Sequence, residues 1–317
     1  KVYQPCKLTI DNCSNSGKVE KTGAGASRMY VGGIAAFLNG LENNDTYVSD
    51  VSGCTNNGAV LNGSSGAGEW SIFTGGIVGY YRVNGTLKGC VNNGSVTNTS
   101  SAQYKNSFKH FRLGGIVGSA ENGTITDCTN NGQVKDASET NAGCVGGIVG
   151  YAPTKAITLT NCDNKNSVTV SFNSAADPYP MAIGGVLGYA DEAVTLDGCD
   201  NTGDVTNDRT TTALNIYMGG LVGQMPNKSL VVKNCTMSGT LTDNASGGKA
   251  TLGAVVGICY DNTISDTHST MAVNNTYANQ YIGGFIGQVE ANKTTSISNC
   301  SVAADVISNG AGYSGMF

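Results

Sequence analysis

Two aspartates in a repeated turn have the clearest potential for chemistry. Asp163 and Asp200 occupy the same position in the similar segments NCDNKNSV and GCDNTGDV. If these segments stack as neighbouring strands, the two carboxylates lie about 5 Å apart. That spacing suits a retaining glycosidase, and carboxylate oxygens also suit calcium. The pair is a secondary candidate for a catalytic or metal site, because solvated turn carboxylates in an acidic chain are the simpler interpretation.

A second group of candidate residues lies in connections of variable length. The longest connection, residues 97–113, gathers aromatic, basic and hydrogen-bonding side chains. Variable loops on a rigid scaffold often bind ligands, and aromatic rings beside polar groups suit sugars or a protein loop. The predicted ligand-binding residues are Trp70, Tyr104, Lys105, Phe108, His110, Arg112 and Tyr179.

Other catalytic chemistry finds little support in the residue types. The chain contains 11 cysteines and two histidines, and the cysteines lack the CxxC spacing of zinc or redox sites. We therefore expect no catalytic residue, no metal and no cofactor.

Two alternating modules must position all these residues. The first is a glycine-rich apolar strand, found as VGGIAAF (31–37), TGGIVGY (74–80), LGGIVGS (113–119), VGGIVGY (145–151), IGGVLGY (183–189), MGGLVGQ (218–224), LGAVVGI (252–258), IGGFIGQ (282–288) and a degenerate YSGMF (313–317). The second is C-x-N-x-G-x-V after a Thr-rich strand, anchored at Cys13, Cys54, Cys90, Cys128, Cys162, Cys199, Cys235, Thr267 and Cys300. Such a period of roughly 30–43 residues is typical of solenoids.

The sequence therefore predicts an all-β parallel β-solenoid of about nine coils, each with two or three strands. Glycine supplies 45 residues and charged residues only 13% of the chain, which disfavours helices. Residues 1–317 show no shift in composition, so we expect a single repeat domain. Its ends carry no obvious polar cap, so we also expect it to be part of a longer protein.

Stacking gives each column of the repeat a structural role. An asparagine ladder is predicted at Asn15, Asn56, Asn92, Asn130, Asn164 and Asn201. The glycine four residues after each cysteine, such as Gly94, is expected to adopt a left-handed conformation. The Cβ atoms of stacked cysteines lie about 4.8 Å apart, beyond the roughly 3.5–4.5 Å that a disulfide requires. These cysteines should therefore remain buried thiols. Cys6, Cys144 and Cys259 lie outside that column, and their redox state stays open.

The glycine-rich strand should have two different sides. Val31, Val145 and their equivalents are assigned to the core. On the opposite side lie Tyr30, Phe73, Arg112, Cys144, Tyr217 and Tyr281, which a neighbouring segment is expected to cover. The residues two before the core position are expected to extend the core strand; they include Ile72, Phe111, Met181 and Ile216.

The pattern G-G-[IL]-V-G followed by T-[IL]-x-x-[small]-x-x-x-G-x-V resembles the GLUG motif of bacterial surface proteins. The resemblance covers nearly the whole chain and implies a repeat architecture without catalytic residues. It also implies an extracellular location at the bacterial cell surface.

These observations favour a scaffold for adhesion that binds a host or bacterial surface glycan or protein through one edge. A polysaccharide lyase or glycoside hydrolase on a β-helix, using Asp163 and Asp200, is the first alternative. A filament subunit with head-to-tail self-association is the second. The net charge of −5 with scattered basic residues argues against nucleic acid, and no apolar run approaches the roughly 20 residues that insert into a membrane.

Overall fold

Short parallel strands, stacked from coil to coil, form the whole described part of the chain. The computed structural model describes residues 7–24, 28–40, 48–65, 67–68, 71–101, 103–104, 111–138, 143–171, 180–209, 215–245, 247–276, 281–309 and 312–315. Five long sheets run along the solenoid, and we call them sheets A to E in the order in which each coil contributes to them. These ranges contain no helix, and hence none that could cross a bilayer.

The strands of each sheet pair in register with the next coil. Sheet A contains Lys7–Asp11, Val48–Ser52, Thr86–Lys88, Thr124–Thr126, Ile157–Thr160, Val194–Asp197, Leu230–Lys233, Asn262–Ser265 and Thr295–Ser298. Sheet B contains Ser14–Asn15, Thr55–Asn56, Val91–Asn92, Thr129–Asn130, Asp163–Asn164, Asp200–Asn201, Thr236–Met237, His268–Ser269 and Ser301–Val302. Sheet C contains Val19–Ala24, Val60–Ser65, Val96–Asn98, Val134–Asp136, Val168–Val170, Val205–Asn207, Thr240–Asp243, Ala272–Asn275 and Val306–Ser308.

The glycine-rich module supplies the other two long sheets. Sheet D contains Met29–Gly32, Ile72–Gly75, Phe111–Gly114, Gly143–Gly146, Met181–Gly184, Asn215–Gly219, Lys249–Gly253, Tyr281–Gly283 and Tyr313–Gly315. Sheet E contains Ala35–Asn39, Val78–Arg82, Val117–Ala120, Val149–Ala152, Leu187–Ala190, Val222–Met225, Val256–Cys259 and Ile286–Val289. A small sixth sheet pairs Ala67–Gly68 with Gln103–Tyr104.

The predicted fold class, an all-β parallel β-solenoid, is confirmed. Eight coils carry all five strands, and a ninth carries four within the described ranges, which is slightly fewer complete coils than expected. The expectation of two or three strands per coil was wrong. The glycine-rich module bends between sheets D and E, and the cysteine module bends twice, so each coil contains five short strands.

The core is a continuous apolar column along the solenoid axis. The core-facing positions assigned from the sequence are buried, as at Val145 and Met218, which are both 0% exposed. Ile72, Phe111, Met181 and Ile216 are buried too. Met181 and Ile216 extend the core column as expected, whereas Ile72 and Phe111 pack with Met29 in a separate buried cluster.

Six cysteines of the column lie within this core, whereas Cys13 is exposed and Cys300 is half-buried, so the expected burial was wrong for these two end members. All ten described cysteines are free, including Cys144 and Cys259, whereas Cys6 lies outside the described residues. A thiol such as that of Cys128 donates to the carbonyl two residues earlier, Thr126 O, at 3.3 Å. Thr267, which replaces a cysteine, makes the same contact to Ser265 O at 2.8 Å. Burial raises the pKa of the Cys235 thiol to about 12, so this thiol packs as a neutral group.

The predicted asparagine ladder is present in the first six coils. Each amide nitrogen donates to the amide oxygen of the next coil, from Asn15 Nδ2 to Asn56 Oδ1 at 2.8 Å through to Asn164 Nδ2 to Asn201 Oδ1 at 2.7 Å. The same nitrogen also donates within its own turn, as Asn92 does to Gly94 O at 2.8 Å. The ladder therefore ties neighbouring coils together and fixes each turn.

The left-handed residue of the turn was placed wrongly from the sequence. The glycines four after the cysteine, such as Gly58 and Gly94, do not have positive φ, with Gly239 as the exception. They are needed because a Cβ at Gly94 would lie 1.9 Å from Gly58 O of the preceding coil. The left-handed residue precedes the cysteine instead and is always Asn, Asp or Gly, at Asn12, Gly53, Gly89, Asp127, Asn161, Gly198, Asn234, Asp266 and Asn299.

A second buried polar column follows the last residues of sheet C. Asn98 Nδ2 donates to Asp136 Oδ1 at 3.0 Å, and the backbone N of Ser138 donates to the same oxygen at 3.1 Å. Asp136 is 0% exposed, and its Oδ2 has no hydrogen-bond partner in the described part of the chain. Burial raises the pKa of Asp136 to about 6, although the buried cation Arg209 opposes this shift.

We expect this carboxyl group to make the protein less stable as pH rises from about 4 to 6. The unfolded chain releases the proton near 3.8, whereas the folded chain retains it until about 6. The free energy of unfolding should therefore fall by about 3 kcal/mol across that window. In Asp136→Asn, which keeps the Oδ1 acceptor, most of this decrease should disappear in guanidinium unfolding measured at pH 4, 5, 6 and 7.

Asp197→Asn is a control, because Asp197 changes the stability of the protein with pH in the opposite direction to Asp136. Hydrogen bonds from Asn234 and Lys233 lower the pKa of Asp197, so its contribution to stability is lost as pH falls. If the wild type and Asp136→Asn showed parallel pH profiles, the raised pKa of Asp136 would be wrong.

Candidate ligand-binding groove

Most of the binding residues predicted from the sequence lie outside the described residues. These are Trp70, Lys105, Phe108, His110 and Tyr179. The backbone of Tyr104 pairs with Gly68 in the small sheet, so at this point two successive variable connections stack on each other. Arg112, in sheet D, is the one whose side-chain environment is described, and it leads to the site below.

Arg112 lies in a groove where the outer sides of sheets D and E meet. We define this D–E groove by Tyr30, Phe73 and Arg112 of sheet D and by Phe37, Tyr80 and Tyr151 of sheet E. In sheet D these residues alternate with core residues, so they point away from the axis. Register places each directly beside its equivalent in the next coil.

Glycine allows the two sheets to approach closely enough to form the groove. A Cβ at Gly79, the residue before Tyr80, would lie 2.8 Å from Val31 O of the preceding coil. With no side chain there, strand Val78–Arg82 lies directly against sheet D. Tyr80 is thereby brought against the rings of the neighbouring sheet.

Aromatic rings form a continuous stack at the N-terminal end of the groove. The ring centroids of Phe73 and Tyr80 are 4.4 Å apart, and those of Tyr30 and Phe37 are 4.5 Å apart. Tyr30 also stacks on Phe73 at 4.9 Å. Each such pair contributes about 0.5–1.5 kcal/mol beyond the burial of its area, so the stack is a rigid platform.

The stack is interrupted in the third coil. There Arg112 and Ser119 occupy the positions that aromatic residues fill in the coil before. The Arg112 guanidinium lies between two rings, with Cζ 4.4 Å from the Phe73 centroid and 4.5 Å from the Tyr151 centroid. Burial lowers the pKa of Arg112 to about 10, which leaves the group charged at neutral pH.

A cavity of about 300 Å³ opens where the stack is interrupted. Its lining combines aromatic rings with charged and hydroxyl groups from four successive coils: Arg28, Ser71, Phe73, Tyr80, Arg82, Arg112, Glu121, Pro153 and Thr154. Arg82 Nε and Glu121 Oε2 form an ion pair at 2.9 Å. Thr154 Oγ1 donates to the same carboxylate oxygen at 3.3 Å, so Glu121 is held in place.

Two tyrosines and an aspartate continue the groove beyond the cavity. Tyr151 and Tyr189 both donate their phenolic protons to Asp191, the second at 2.8 Å. Burial, together with the Asp191 carboxylate, raises the pKa of both phenols well above the usual range. Phenols held in this way are hydrogen-bond donors and poor general bases.

Asp163 and Asp200 are adjacent in register, as the sequence indicated. Lys165 Nζ lies 3.6 Å from Asp163 Oδ2, and Asp200 Oδ1 accepts a hydrogen bond from Thr236 N at 2.8 Å. Burial raises the pKa of Asp163; the Lys165 charge opposes this shift and the Asp200 charge adds to it. No cluster of three or more metal-ligand side chains occurs in the ranges that the structure describes. Their role as a catalytic or metal pair stays a prediction, and their contacts are those of turn residues.

Sequence reasoning found the sheet D side of the groove and missed the sheet E side. Phe37, Tyr80 and Tyr151 end the glycine-rich modules GGIAAF, GGIVGY and GGIVGY at one repeated position. That repetition was the available signal. It was missed because simple alternation along strand Val78–Arg82 would place Tyr80 in the core together with Val78. In the structure this alternation is interrupted at Gly79, and Tyr80 lies outside the core.

The fold defines the protein as a parallel β-solenoid repeat protein. Comparison with known families finds the GLUG motif at residues 110–135 and 278–307, which confirms the resemblance at these two places. The first match includes Arg112 and Glu121 of the groove. Neither the curated proteins nor the solved structures that were compared give a significant match.

Proposed function

We propose that this β-solenoid binds a glycan in the D–E groove and acts as an adhesion scaffold at the surface of a bacterial cell. The observation that carries the proposal is the cavity of about 300 Å³ where the aromatic stack adjoins Arg112, Glu121 and Thr154. Sugar rings present apolar faces and hydroxyl edges, so a site for them needs flat rings beside hydrogen-bonding groups. The cell-surface location rests on the GLUG motif found in this chain. The repeats of this chain resemble those of bacterial surface proteins with the same motif.

The contacts in the groove favour binding over bond cleavage. A general acid must keep its proton near neutral pH, but the Arg82 ion pair stabilises the charged form of Glu121. Tyr151 and Tyr189 retain their protons as donors to Asp191. The described groups can therefore orient a saccharide, and Glu121 as the ion-pair partner of Arg82 is not in the protonated state that a general acid requires.

Blocking the cavity should weaken glycan binding. Thr154 is exposed at the cavity, so Thr154→Trp should place an indole there without a change in charge. We expect every glycan that wild-type protein retains on a glycan array to bind at least about tenfold more weakly to this variant.

Thr263→Trp is the matched control, because Thr263 is an exposed threonine on sheet A and does not line the cavity. Equal loss in both variants, or a wild type that binds immobilised proteins and no glycan, would contradict the proposal.

A further inference from the structure

The outer aromatic column of sheet D is interrupted a second time, in the seventh coil. Thr251 lies in register between Tyr217 of the sixth coil and Tyr281 of the eighth. One face of the Tyr281 ring stacks on Tyr313 with the centroids 5.4 Å apart, so its other face is directed toward Thr251. We call the space over Thr251, between Tyr217 and Tyr281, the Thr251 slot. Thr251 itself is only 4% exposed, so the slot is narrow.

The chain itself shows which group such an interruption accepts. Arg112 interrupts the same column in the third coil, and its guanidinium lies 4.4 Å from the Phe73 centroid and 4.5 Å from the Tyr151 centroid. Phe73 and Tyr151 are two coils apart, about 10 Å along the axis, as Tyr217 and Tyr281 are. Rings at this spacing therefore fit one planar guanidinium between them.

Two hydrogen-bond acceptors lie on the sheet E side of the slot. The carboxylate of Glu290 is partly buried and has no hydrogen bond or ion pair with any described residue. Burial, followed by the charge of Glu290, raises the pKa of the Tyr217 phenol, which shows that this carboxylate lies near the ring. Gln224 occupies the position opposite Tyr217 that Tyr80 occupies opposite Phe73. It is 8% exposed, and its Oε1 has no hydrogen-bond partner in the described structure.

The charges around the slot leave Glu290 available to a cation. Lys293 lies 4.0 Å from Asp261 and over the Tyr260 ring, so it is already engaged. Lys249 is exposed on the rim of sheet D, two residues before Thr251. The neighbouring residues outside the described ranges, 210–214, 246, 277–280, 310–311 and 316–317, contain no charged side chain. A cation that enters the slot therefore meets a carboxylate that lacks a described partner.

We infer that the Thr251 slot binds the guanidinium of an arginine side chain on a partner protein. Tyr217 and Tyr281 hold the two faces of the guanidinium, and Glu290 and Gln224 accept hydrogen bonds from its N–H groups. A neutral sugar would leave the Glu290 carboxylate unpaired, and an ammonium lacks the planar fork. The slot lies in coils six to eight, apart from the cavity, so this inference does not depend on glycan binding.

Isothermal titration calorimetry with three peptides tests the inference. They are acetyl-Gly-Arg-Gly-amide and the same peptide with lysine or citrulline in place of arginine. Lysine keeps the charge without the planar group, whereas citrulline keeps the planar shape without the charge. Wild-type protein should bind the arginine peptide at least about fivefold more tightly than either of the others. This affinity should fall with added salt.

Variants on both sides of the slot locate the binding site. Glu290→Gln should lose the preference for arginine over citrulline, because it removes the charge and keeps the shape. Tyr281→Leu, at a position that is 43% exposed, should weaken binding of the arginine peptide at least about threefold. Glu20→Gln makes the same change in charge on the exposed side of the first coil and should leave the preference unchanged.

Thr251→Arg supplies the guanidinium from within the chain, in register with Arg112, and should abolish binding of the arginine peptide. Equal affinity for the three peptides, or binding of none, would overturn the inference. So would an unchanged preference for arginine in Glu290→Gln or in folded Thr251→Arg. Loss of glycan-array binding in Tyr281→Leu would also overturn it, because the slot would then hold a saccharide. Glycan binding that only Thr154→Trp weakens would leave the proposed function intact in each of the peptide outcomes.

Discussion

Gly146→Ala is expected to prevent the fourth coil from closing, with a loss of more than about 4 kcal/mol in the free energy of unfolding. A Cβ at this position would lie 2.0 Å from Val149 O and 2.8 Å from Gly188 N. Both atoms belong to the backbone, so no side-chain rotation can relieve the clash. Moving either one would disturb the parallel pairing of sheet D or sheet E with the adjacent coils.

The repeat itself supports this expectation. The same position is glycine in all nine copies of sheet D, at Gly32, Gly75, Gly114, Gly146, Gly184, Gly219, Gly253, Gly283 and Gly315. The next position is glycine in seven of the nine copies, and Ala254 and Met316 occupy it in the other two. At Ala254 the neighbouring ladder residue is Ser269, which is smaller than the asparagine found in earlier coils.

Gly63→Ala is the matched control for Gly146→Ala. A Cβ at Gly63 would have its nearest neighbour, Thr99 Oγ1, at 3.4 Å, and its φ is not in the left-handed region. The free energy of unfolding of this variant should differ from that of the wild type by less than about 1 kcal/mol, in either direction. Far-UV circular dichroism during guanidinium unfolding measures both variants. A Gly146→Ala protein as stable as Gly63→Ala would mean that the turn between sheets D and E is not rigid.

The glycines also show which parts of the fold the sequence could predict. Repeated positions are visible as columns in the sequence, so the solenoid, its register, the core face and the asparagine ladder could all be predicted. The physical cause of a column is harder to read. A glycine column can mean positive φ, as at Gly89, or close backbone approach, as at Gly94, and the letter is the same.

The candidate site was only half predictable for a similar reason. Arg112 and Phe73 were placed on the outer side of sheet D by simple alternation. Their contacts with Tyr151 and Tyr80 depend on a bend between two sheets and on the close approach at Gly79. Those are properties of three-dimensional packing, and a one-dimensional period does not encode them.

Asn130→Ala should strongly destabilise the protein by breaking the asparagine ladder in its middle. Asn130 is 0% exposed, accepts a hydrogen bond from Asn92 Nδ2 and donates to Asn164 Oδ1 and Gly132 O, each at 2.8 Å. Its removal takes one hydrogen bond away from buried polar atoms in each of three consecutive coils. Each such atom costs about 1–3 kcal/mol, so we expect a loss of about 3 kcal/mol or more in the free energy of unfolding.

The adjacent residue provides a matched control for the ladder. Asn131 forms a parallel ladder on the exposed side of the same turn, where its Nδ2 donates to Asn93 Oδ1 at 2.8 Å. Water can replace that hydrogen bond, so Asn131→Ala should cost less than about 1 kcal/mol. The comparison therefore isolates burial, since residue type, ladder geometry and position along the chain are nearly the same.

Asn130→Asp separates hydrogen bonding from packing in this ladder. The side chain keeps its volume, but an acceptor oxygen replaces the amide donor and faces Asn164 Oδ1 and Gly132 O. If hydrogen bonding holds the coils together, guanidinium unfolding at pH 7 should show Asn130→Asp to be at least as unstable as Asn130→Ala. A near wild-type Asn130→Asp would assign the role of the column to packing against Gly115, where a Cβ would lie 2.4 Å from Asn130 Cγ. A destabilised Asn130→Asp protein would show that hydrogen bonds of the ladder set the register of the coils. Packing alone would not depend on whether the side chain carries a hydrogen-bond donor.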